Sequence, residues 1–150
     1  MIEIRDEAIK NLLPQREPML MVDAFYEASD LEADTGLTIA NNNLFCNDGL
    51  FTEPGLIEHI AQSASAFAGY KALLANKPAP TGFIGEVKKS RIHFLPRAGD
   101  VLCTHICILK EILGVTLLSA ETIVDGKTVV QCQMKIFITP SSPITYDFHE

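Results

Sequence analysis

The chain has 150 residues, and 47% of them are hydrophobic, which is enough for the core of one domain. Its formal net charge of −7 at pH 7 excludes bulk nucleic-acid binding, because neutralising phosphates requires a basic surface. No apolar run reaches the roughly 18 residues of a membrane span, and the charged start MIEIRDEAIKNLL lacks the apolar core of a signal peptide.

Four cysteines are scattered along the chain, at Cys46, Cys103, Cys107 and Cys132. A single domain over residues 1–150 is large enough to fold around an apolar core without disulfides. We therefore interpret all four as reduced thiols and expect a cytoplasmic protein.

The first part of the chain predicts one short helix and two strands. An amphipathic pattern over residues 3–13 indicates a helix that ends at Pro14. The segments MLMVDAFYEA and EADTGLTIA predict strands joined by an acidic turn at Ser29–Glu32. The segment NNNLFCNDG that follows has the composition of a loop.

The stretch LFTEPGLIEHIAQSASAFAGY indicates the start of a long buried helix. Pro54 suits a first helical turn, with Thr52 or Glu53 as the cap, and the pattern continues to about Lys77. Apolar or small residues cover nearly the whole circumference of this helix, and a helix that is apolar all round is a buried one.

After Pro80 the period changes to that of strands, in GFIGEVKKSRIHFLP, DVLCTHICILKEI, VTLLSAETIV and KTVVQCQMKIFIT. Asp125-Gly126 predicts a tight hairpin between the last two, and the tail from Pro140 has no regular pattern. The order of elements predicts an α+β fold with an antiparallel sheet wrapped around one long central helix. One helix cannot cover both ends and edges of such a sheet, so we expect a homodimer that forms by edge-to-edge sheet pairing.

Three stretches, LLPQREPMLMVD, PGLIEHIAQSAS and KSRIHFLPRAGDVL, occur in this order along the chain. They resemble three features of the 3-hydroxyacyl-[acyl-carrier-protein] dehydratases, a family with the hotdog fold. The first stretch is similar to that family's opening motif LLPHRYPFLLVD, and the second to the head of its central helix. The third is similar to its third strand and the Gly-Asp turn that follows. The resemblance covers nearly the whole chain. It implies a dehydratase-like protein of fatty-acid or polyene-lipid biosynthesis that acts on acyl thioesters, with acyl carrier protein as partner and no cofactor.

Two positions depart from that family's pattern. Its catalytic histidine lies in a GHFP segment before the helix, where this chain has CNDGLF, with Asn47 or Asp48 near the expected place. The histidine of the opening motif is replaced by Gln15. The short spacing between Pro54-Gly55 and Glu58 is more similar to a divergent branch associated with aryl-polyene-type pigment lipids.

Dehydration of a 3-hydroxyacyl thioester needs a base for the proton at the second carbon, an acid for the departing hydroxyl, and donors that polarise the carbonyl. The resemblance makes Glu58 the leading acid/base candidate, with Asp48 and His59 as further catalytic candidates. Gly55 could donate its N–H from the helix start, and Gln62 lies on the same helix face as Glu58, so these two are the substrate-binding candidates.

Each candidate also has a purely structural interpretation. Glu58 could interact with the helix dipole in solvent, and Gly55 could serve close packing after Pro54. His59 points about 100° away from Glu58 on the helix, so we favour packing, or a contact with a partner chain, over catalysis for this residue.

The main basic cluster of this acidic chain comprises Lys88, Lys89, Arg91 and Arg97. It is either a solvated strand face or, as the family resemblance implies, a docking site for acidic acyl carrier protein. Alternating residues Cys103, His105 and Cys107 resemble metal ligands, but residues two apart on a strand lie roughly 7 Å apart. We therefore predict no metal site.

Two other functions stay open. Other hotdog proteins use a carboxylate on this helix to drive attack by water, which makes an acyl thioesterase one alternative. The other is a non-catalytic acyl-thioester-binding subunit paired with an active homologue. Loss of the usual histidine favours both alternatives, whereas the opening motif and Ala61-Gln62 favour the dehydratase.

Overall fold

The computed structural model describes residues 2–139, which form nine strands, one α-helix and one 3-10 helix. The strands are β1 (Ile4–Arg5), β2 (Ala24–Ala28), β3 (Glu32–Thr38), β4 (Cys46–Asn47), β5 (Leu50–Phe51), β6 (Thr81–Ile92), β7 (Val101–Ile112), β8 (Val115–Val124) and β9 (Lys127–Thr139). The helix α1 is Glu53–Leu74, and the 3-10 helix is Asp6–Asn11. The tail from Pro140 lies outside the described residues, so its predicted irregularity stays untested.

Seven strands form one antiparallel sheet in the order β1-β2-β3-β7-β8-β9-β6. This sheet packs against α1, and β4 and β5 form a separate hairpin just before the helix. The predicted antiparallel sheet around one long helix is confirmed.

The helix α1 is buried on nearly every face, as its apolar circumference predicts. Twelve of its residues are buried, and they extend from Gly55 to Gly69. The helix ends at Leu74, three residues before the predicted end at Lys77. Asn76 adopts a left-handed backbone with φ +58°, a common way for a helix to terminate.

The last two strands follow their sequence pattern closely. Cys132, Met134 and Ile136 lie on one face of β9 and are buried, whereas Gln131 lies on the other face and is exposed. The hairpin predicted at Asp125-Gly126 is confirmed, because both residues have positive φ as this tight turn requires.

The N-terminal region differs from its prediction. The helix predicted over residues 3–13 is a two-residue strand followed by the shorter 3-10 helix. The strand predicted for MLMVDAFYEA starts only at Ala24, because the backbone of Met19 and Met21 bonds instead to side chains of α1. The predicted loop NNNLFCNDG contains β4, which turns into β5 at Asp48-Gly49.

The long strand β6 lies at one end of the sheet and pairs only with β9 among residues 2–139. Its free edge is twelve residues long, and Phe83, Ile84 and Val87 are each more than a third exposed on it. Such an edge is a template for pairing with another chain. No helix in the described part of the chain is long and apolar enough to cross a membrane.

Candidate active site

The carboxamide of Gln62 links Glu58 to the segment that precedes β2. Its Nε2 donates to Oε2 of Glu58 at 2.7 Å and to the carbonyl of Met19 at 2.8 Å, while its Oε1 accepts from the backbone N–H of Met21 at 2.6 Å. Both N–H groups of this amide are therefore in use within the protein. Gln62, a predicted substrate-binding residue, holds the carboxylate in place and has no free N–H for a substrate.

Glu58 is half-buried and faces a cleft of about 390 Å³ between α1, the start of β6 and the segment before β2. At one side of the cleft β6 approaches α1 so closely that a β-carbon on Gly82 would lie 2.4 Å from Oγ of Ser65. The cleft is lined by Gln15, Met19, Glu58, Ala61, Gln62, Ser65, Thr81, Gly82, Phe83 and Ile84. One wall is thus the free edge strand β6.

Gly55 is buried at the third position of α1, where close packing requires a glycine. A β-carbon there would lie 2.7 Å from Cβ of Phe45 and from Cζ of Phe51. Thr52 makes no side-chain cap, because its hydroxyl donates to the carbonyl of Phe45. The N–H of Gly55 has no partner within the helix by geometry, so the packing role is seen here and the donor role stays a prediction.

His59 lies in the core on the side of α1 that faces the sheet, and it is fully buried. Its Nδ1 lies 2.7 Å from the carbonyl of Met21, and its Nε2 lies 2.7 Å from Oγ1 of Thr104. The hydroxyl of Thr104 in turn bonds to that of Thr122 at 2.7 Å. Both ring nitrogens are therefore occupied by the protein, as the packing interpretation of His59 expects.

Burial lowers the pKa of His59 to about 4, with an opposing effect from the hydrogen bond to Met21. The ring is therefore neutral near pH 7. Since the carbonyl of Met21 can only accept, Nδ1 carries the proton and Nε2 accepts from Thr104. His59 is held as one tautomer in the core and does not line the cleft.

Asp48 is not brought to the cleft in this subunit. It is exposed at the turn between β4 and β5, with φ +50°, followed by Gly49 with φ +78°. A two-residue turn of this kind favours Asp-Gly for conformational reasons alone. No histidine among residues 2–139 lines the cleft, since His93 and His105 are exposed elsewhere.

His105 lies on the outer face of the sheet, between two carboxylates of β3. Its Nδ1 lies 2.7 Å from Asp34 and its Nε2 lies 2.8 Å from Glu32. The hydrogen bond to Asp34 is the main cause that raises the pKa of His105. Its ring nitrogens thus bond to carboxylates, while the neighbouring Cys103 and Cys107 on the same face are free thiols, as are the chain's other two cysteines.

Three of the four basic candidates lie on β6, and Arg97 follows in the loop before β7. Lys89, Arg91 and Arg97 are exposed, while Lys88 lies 3.7 Å from Glu86. Lys89 has φ +51° at an irregularity in the pairing of β6 with β9. The cluster therefore continues along the same edge strand that walls the cleft.

Sequence reasoning missed most of the cleft wall opposite Glu58. Met19 and the start of β6, residues 81–84, were not among the candidates, because nothing in their residue types signals a site. Gln15 had one available signal, its replacement of the histidine in the opening motif. It lines the cleft, and its side-chain oxygen is buried.

An antiparallel sheet curled around one buried helix, with a carboxylate in a cleft beside an edge strand, defines a hotdog-fold protein. Solved structures agree. The dehydratase heterocomplex ApeI:P from Xenorhabdus doucetiae matches with a TM-score of 0.82 at 18% identity, over 89% of this chain and 91% of that one. A hypothetical thioesterase with coenzyme A from Streptococcus pneumoniae matches with a TM-score of 0.60 at 11% identity, over 77% and 87%.

The model of the ApeP-like family, described as ApeP dehydratase, matches residues 7–145. The 3-hydroxyacyl-[acyl-carrier-protein] dehydratase FabZ of Ruminiclostridium cellulolyticum is 30% identical over 146 residues, covering 91% of this chain and 98% of that protein. FabZ of Pseudoalteromonas translucida is 30% identical over 135 residues, covering 85% and 89%. The chain belongs to the ApeP-like dehydratase family, and the predicted hotdog fold and dehydratase-like family are confirmed.

Proposed function

We propose that this chain dehydrates 3-hydroxyacyl thioesters carried by acyl carrier protein, with Glu58 as the acid/base residue. The observation that carries the proposal is the position of Glu58, held by Gln62 at the head of a buried helix and facing a cleft beside β6. The FabZ relatives, named as dehydratases of this substrate class, support the same reaction.

In the proposed reaction, a base removes the proton from the second carbon, and Glu58 donates a proton to the hydroxyl on the third. The bond between the third carbon and oxygen breaks, a double bond forms between the two carbons, and water leaves. The N–H of Gly55 at the helix start polarises the thioester carbonyl as negative charge develops there. Gln62 keeps the carboxylate of Glu58 in a fixed orientation throughout.

The base is best supplied by a second subunit paired at the free edge of β6. No histidine of residues 2–139 lines the cleft, and one cleft wall is that edge strand. In a homodimer, our expectation from the sequence, we propose that Asp48 of the partner subunit is this base. A pair with a homologue would bring a histidine, and the Xenorhabdus doucetiae relative is a heterocomplex.

Acyl carrier protein is the proposed carrier of the substrate, acting in the cytoplasm. Lys89, Arg91 and Arg97 are exposed on this acidic chain, along β6, whose start walls the cleft, and along the loop that follows it. They would steer an acidic carrier toward the cleft.

A second candidate function is a non-catalytic acyl-binding subunit. It is favoured by the composition of the cleft, where Glu58 is the one ionisable residue among the ten that line it. In this case the cleft binds the acyl group, and chemistry takes place at the equivalent site of a partner subunit.

These functions are tested by incubating the chain with a panel of thioesters of acyl carrier protein, some with 3-hydroxyacyl groups and some with plain acyl groups. Mass spectrometry then identifies the products. The chain is used alone and mixed with a hotdog homologue that retains the GHFP histidine. Loss of one water from the 3-hydroxyacyl group supports the dehydratase. Release of the free acid would instead identify a thioesterase. If only the mixture is active and Glu58→Gln leaves its activity unchanged, the chain is the non-catalytic subunit.

A further inference from the structure

The backbone of Met21 is held on both of its sides by side chains of α1. Its N–H donates to Oε1 of Gln62 at 2.6 Å, and its carbonyl accepts from Nδ1 of His59 at 2.7 Å. His59 and Gln62 are three positions apart, so they project from neighbouring points of the helix surface. The two peptide groups that flank Met21 are therefore clamped to one stretch of α1.

His59 is in turn anchored to the sheet through its other nitrogen. Its Nε2 accepts from Oγ1 of Thr104 on β7 at 2.7 Å, and the hydroxyl of Thr104 bonds to that of Thr122 on β8 at 2.7 Å. None of these three residues is more than 2% exposed. Because the one hydroxyl hydrogen of Thr104 is directed at His59, Thr122 donates to Thr104. The ring of His59 cannot turn without leaving buried groups unpaired, which costs free energy.

These hydrogen bonds form one series that runs from the sheet to the cleft. In the order in which each residue donates to the next, the series is Thr122, Thr104, His59, Met21, Gln62 and Glu58. The last bond, from Nε2 of Gln62 to Oε2 of Glu58, is 2.7 Å long. A buried polar network in which every member is satisfied holds its members rigidly.

The carboxamide of Gln62 depends on this series for its own position. Its two backbone partners, the carbonyl of Met19 and the N–H of Met21, both belong to the segment before β2. Among residues 2–139, the side chains of α1 that bond to residues 19–21 are His59 and Gln62. Without the bond from His59, this segment can turn about Gln62, and the carboxamide turns with it.

Glu58 and His59 are adjacent in the sequence but point about 100° apart on the helix. The link between them leaves α1 at His59 and returns to it at Gln62. We propose that His59 is a positioning residue for the carboxylate of Glu58. It acts through Met21, whose fixed N–H sets the orientation of the Gln62 carboxamide. This role rests on the proposed function, in which Glu58 transfers a proton to the substrate.

The first test is steady-state kinetics of the whole chain on a 3-hydroxyacyl thioester. His59→Leu removes both ring bonds, whereas His59→Asn keeps an N–H at the level of Nδ1 for the carbonyl of Met21. We expect kcat to fall about tenfold in His59→Leu with KM nearly unchanged, because a misplaced reacting group loses rate rather than binding. His59→Asn should recover most of the lost kcat.

Thr35→Val is the matched control for a loss of stability. Thr35 on β3 is fully buried, and its hydroxyl bonds to that of Ser63 on α1 at 2.7 Å. The substitution therefore breaks a buried hydrogen bond between sheet and helix, but one outside the series that ends on Glu58. It should lower the free energy of unfolding and leave kcat unchanged.

NMR of the side-chain amide of Gln62 provides a readout that does not depend on turnover. The nitrogen-15-labelled signal is assigned by its absence from Gln62→Met. Both of its N–H groups are hydrogen-bonded in the wild type, so they should exchange slowly with solvent. In His59→Leu we expect exchange about tenfold faster, since local opening sets this rate. Thr35→Val should keep the wild-type rate.

Unchanged exchange of the Gln62 amide in His59→Leu overturns the inference, whether or not any thioester is converted. An equal loss of kcat in Thr35→Val also overturns it, because His59 would then act through stability alone. If the wild type converts no thioester but the amide responds as expected, the proposed function fails and the positioning of Gln62 by His59 stands. Should His59→Leu fail to fold, Thr104→Val, which removes only the donor to Nε2, replaces it with the same expectations.

Discussion

The carboxylate of Glu58 accepts a hydrogen bond of 2.7 Å from the carboxamide of Gln62, one turn further along α1. The same carboxamide is bonded to the backbone of Met19 and Met21, so the orientation of Glu58 is tied to the segment that walls the cleft. An acid/base residue needs a fixed position relative to its substrate. This relationship gives the first two predictions.

Glu58→Gln should abolish turnover while the protein stays folded. The amide oxygen can still accept from Gln62, but the side chain no longer exchanges a proton, and loss of general acid–base catalysis typically costs 10²- to 10⁴-fold in rate. Thermal melting should change by only a few degrees or rise, because a half-buried charge is removed. Steady-state assays on a converted 3-hydroxyacyl thioester measure the effect, with exposed Glu53→Gln as the control. Wild-type turnover in Glu58→Gln would show that Glu58 is not catalytic.

Gln62→Met should lower both stability and turnover. The buried N–H of Met21 and the carbonyl of Met19 lose their partner, and each unsatisfied buried group costs about 1–3 kcal/mol. The free carboxylate of Glu58 then samples several orientations, so kcat should fall more than KM rises. Urea unfolding and steady-state kinetics measure these effects, with exposed Gln131→Met as the control. Unchanged kcat in a destabilised Gln62→Met would restrict Gln62 to a structural role.

The fold could be predicted from the sequence because its signals are local and repeated. Proline in the first turn and apolar residues on every face mark α1, and strict alternation marks β9. The start of β2 was misplaced because Met19 and Met21 bond to α1 side chains distant in sequence, and no local pattern reports such bonds.

The site was only partly predictable for a related reason. Glu58 stands out as a carboxylate in an apolar helix, whereas the opposite wall of the cleft consists of ordinary residues brought there by tertiary packing. Asp48 matched the expected place of a catalytic histidine by sequence position alone, and the structure uses it in a tight turn. Gln15 also lines the cleft, a position that depends on how the segment before β2 packs on α1.

Acid should destabilise the protein through His59. Its folded pKa of about 4 lies below the ordinary 6.5, so the unfolded chain binds more protons between these values. The free energy of unfolding therefore rises with pH in this window and falls on acidification, by about 3 kcal/mol for one group with this shift. Chemical denaturation at several pH values measures the slope. His59→Asn should be less stable near pH 7, since bonds to Met21 or Thr104 are lost. Its free energy of unfolding should also depend less on pH in this window, because no histidine titrates at this position. An equal slope in both proteins would contradict the assignment.

The contribution of His105 should have the opposite sign. Its pKa is raised, chiefly by the hydrogen bond to Asp34, so its stabilising contribution is fully present below the ordinary pKa and is lost as pH rises through the folded value. Glu32 and Asp34 on β3 and Glu121 on β8 face it, with Lys89 as the nearby cation. Because His105 and its two carboxylate partners are about half exposed, the contribution of His105 to the free energy of unfolding should stay below about 1 kcal/mol. Denaturation of His105→Gln between pH 6 and 9 should show a flatter profile than the wild type.

Gly69→Ala should destabilise the protein even though alanine is the better helix former. In an unconstrained helix this change stabilises by about 1 kcal/mol. Here the new β-carbon would lie 2.0 Å from the carbonyl oxygen of Leu12, and a backbone atom cannot rotate away. The segment that carries Gln15 must then move off α1, which costs typically 1–3 kcal/mol for an overpacked core and widens the cleft. Urea unfolding measures the cost, with Ala72→Gly as a control for helix propensity alone. Equal or higher stability in Gly69→Ala would mean that this contact does not hold the segment against the helix.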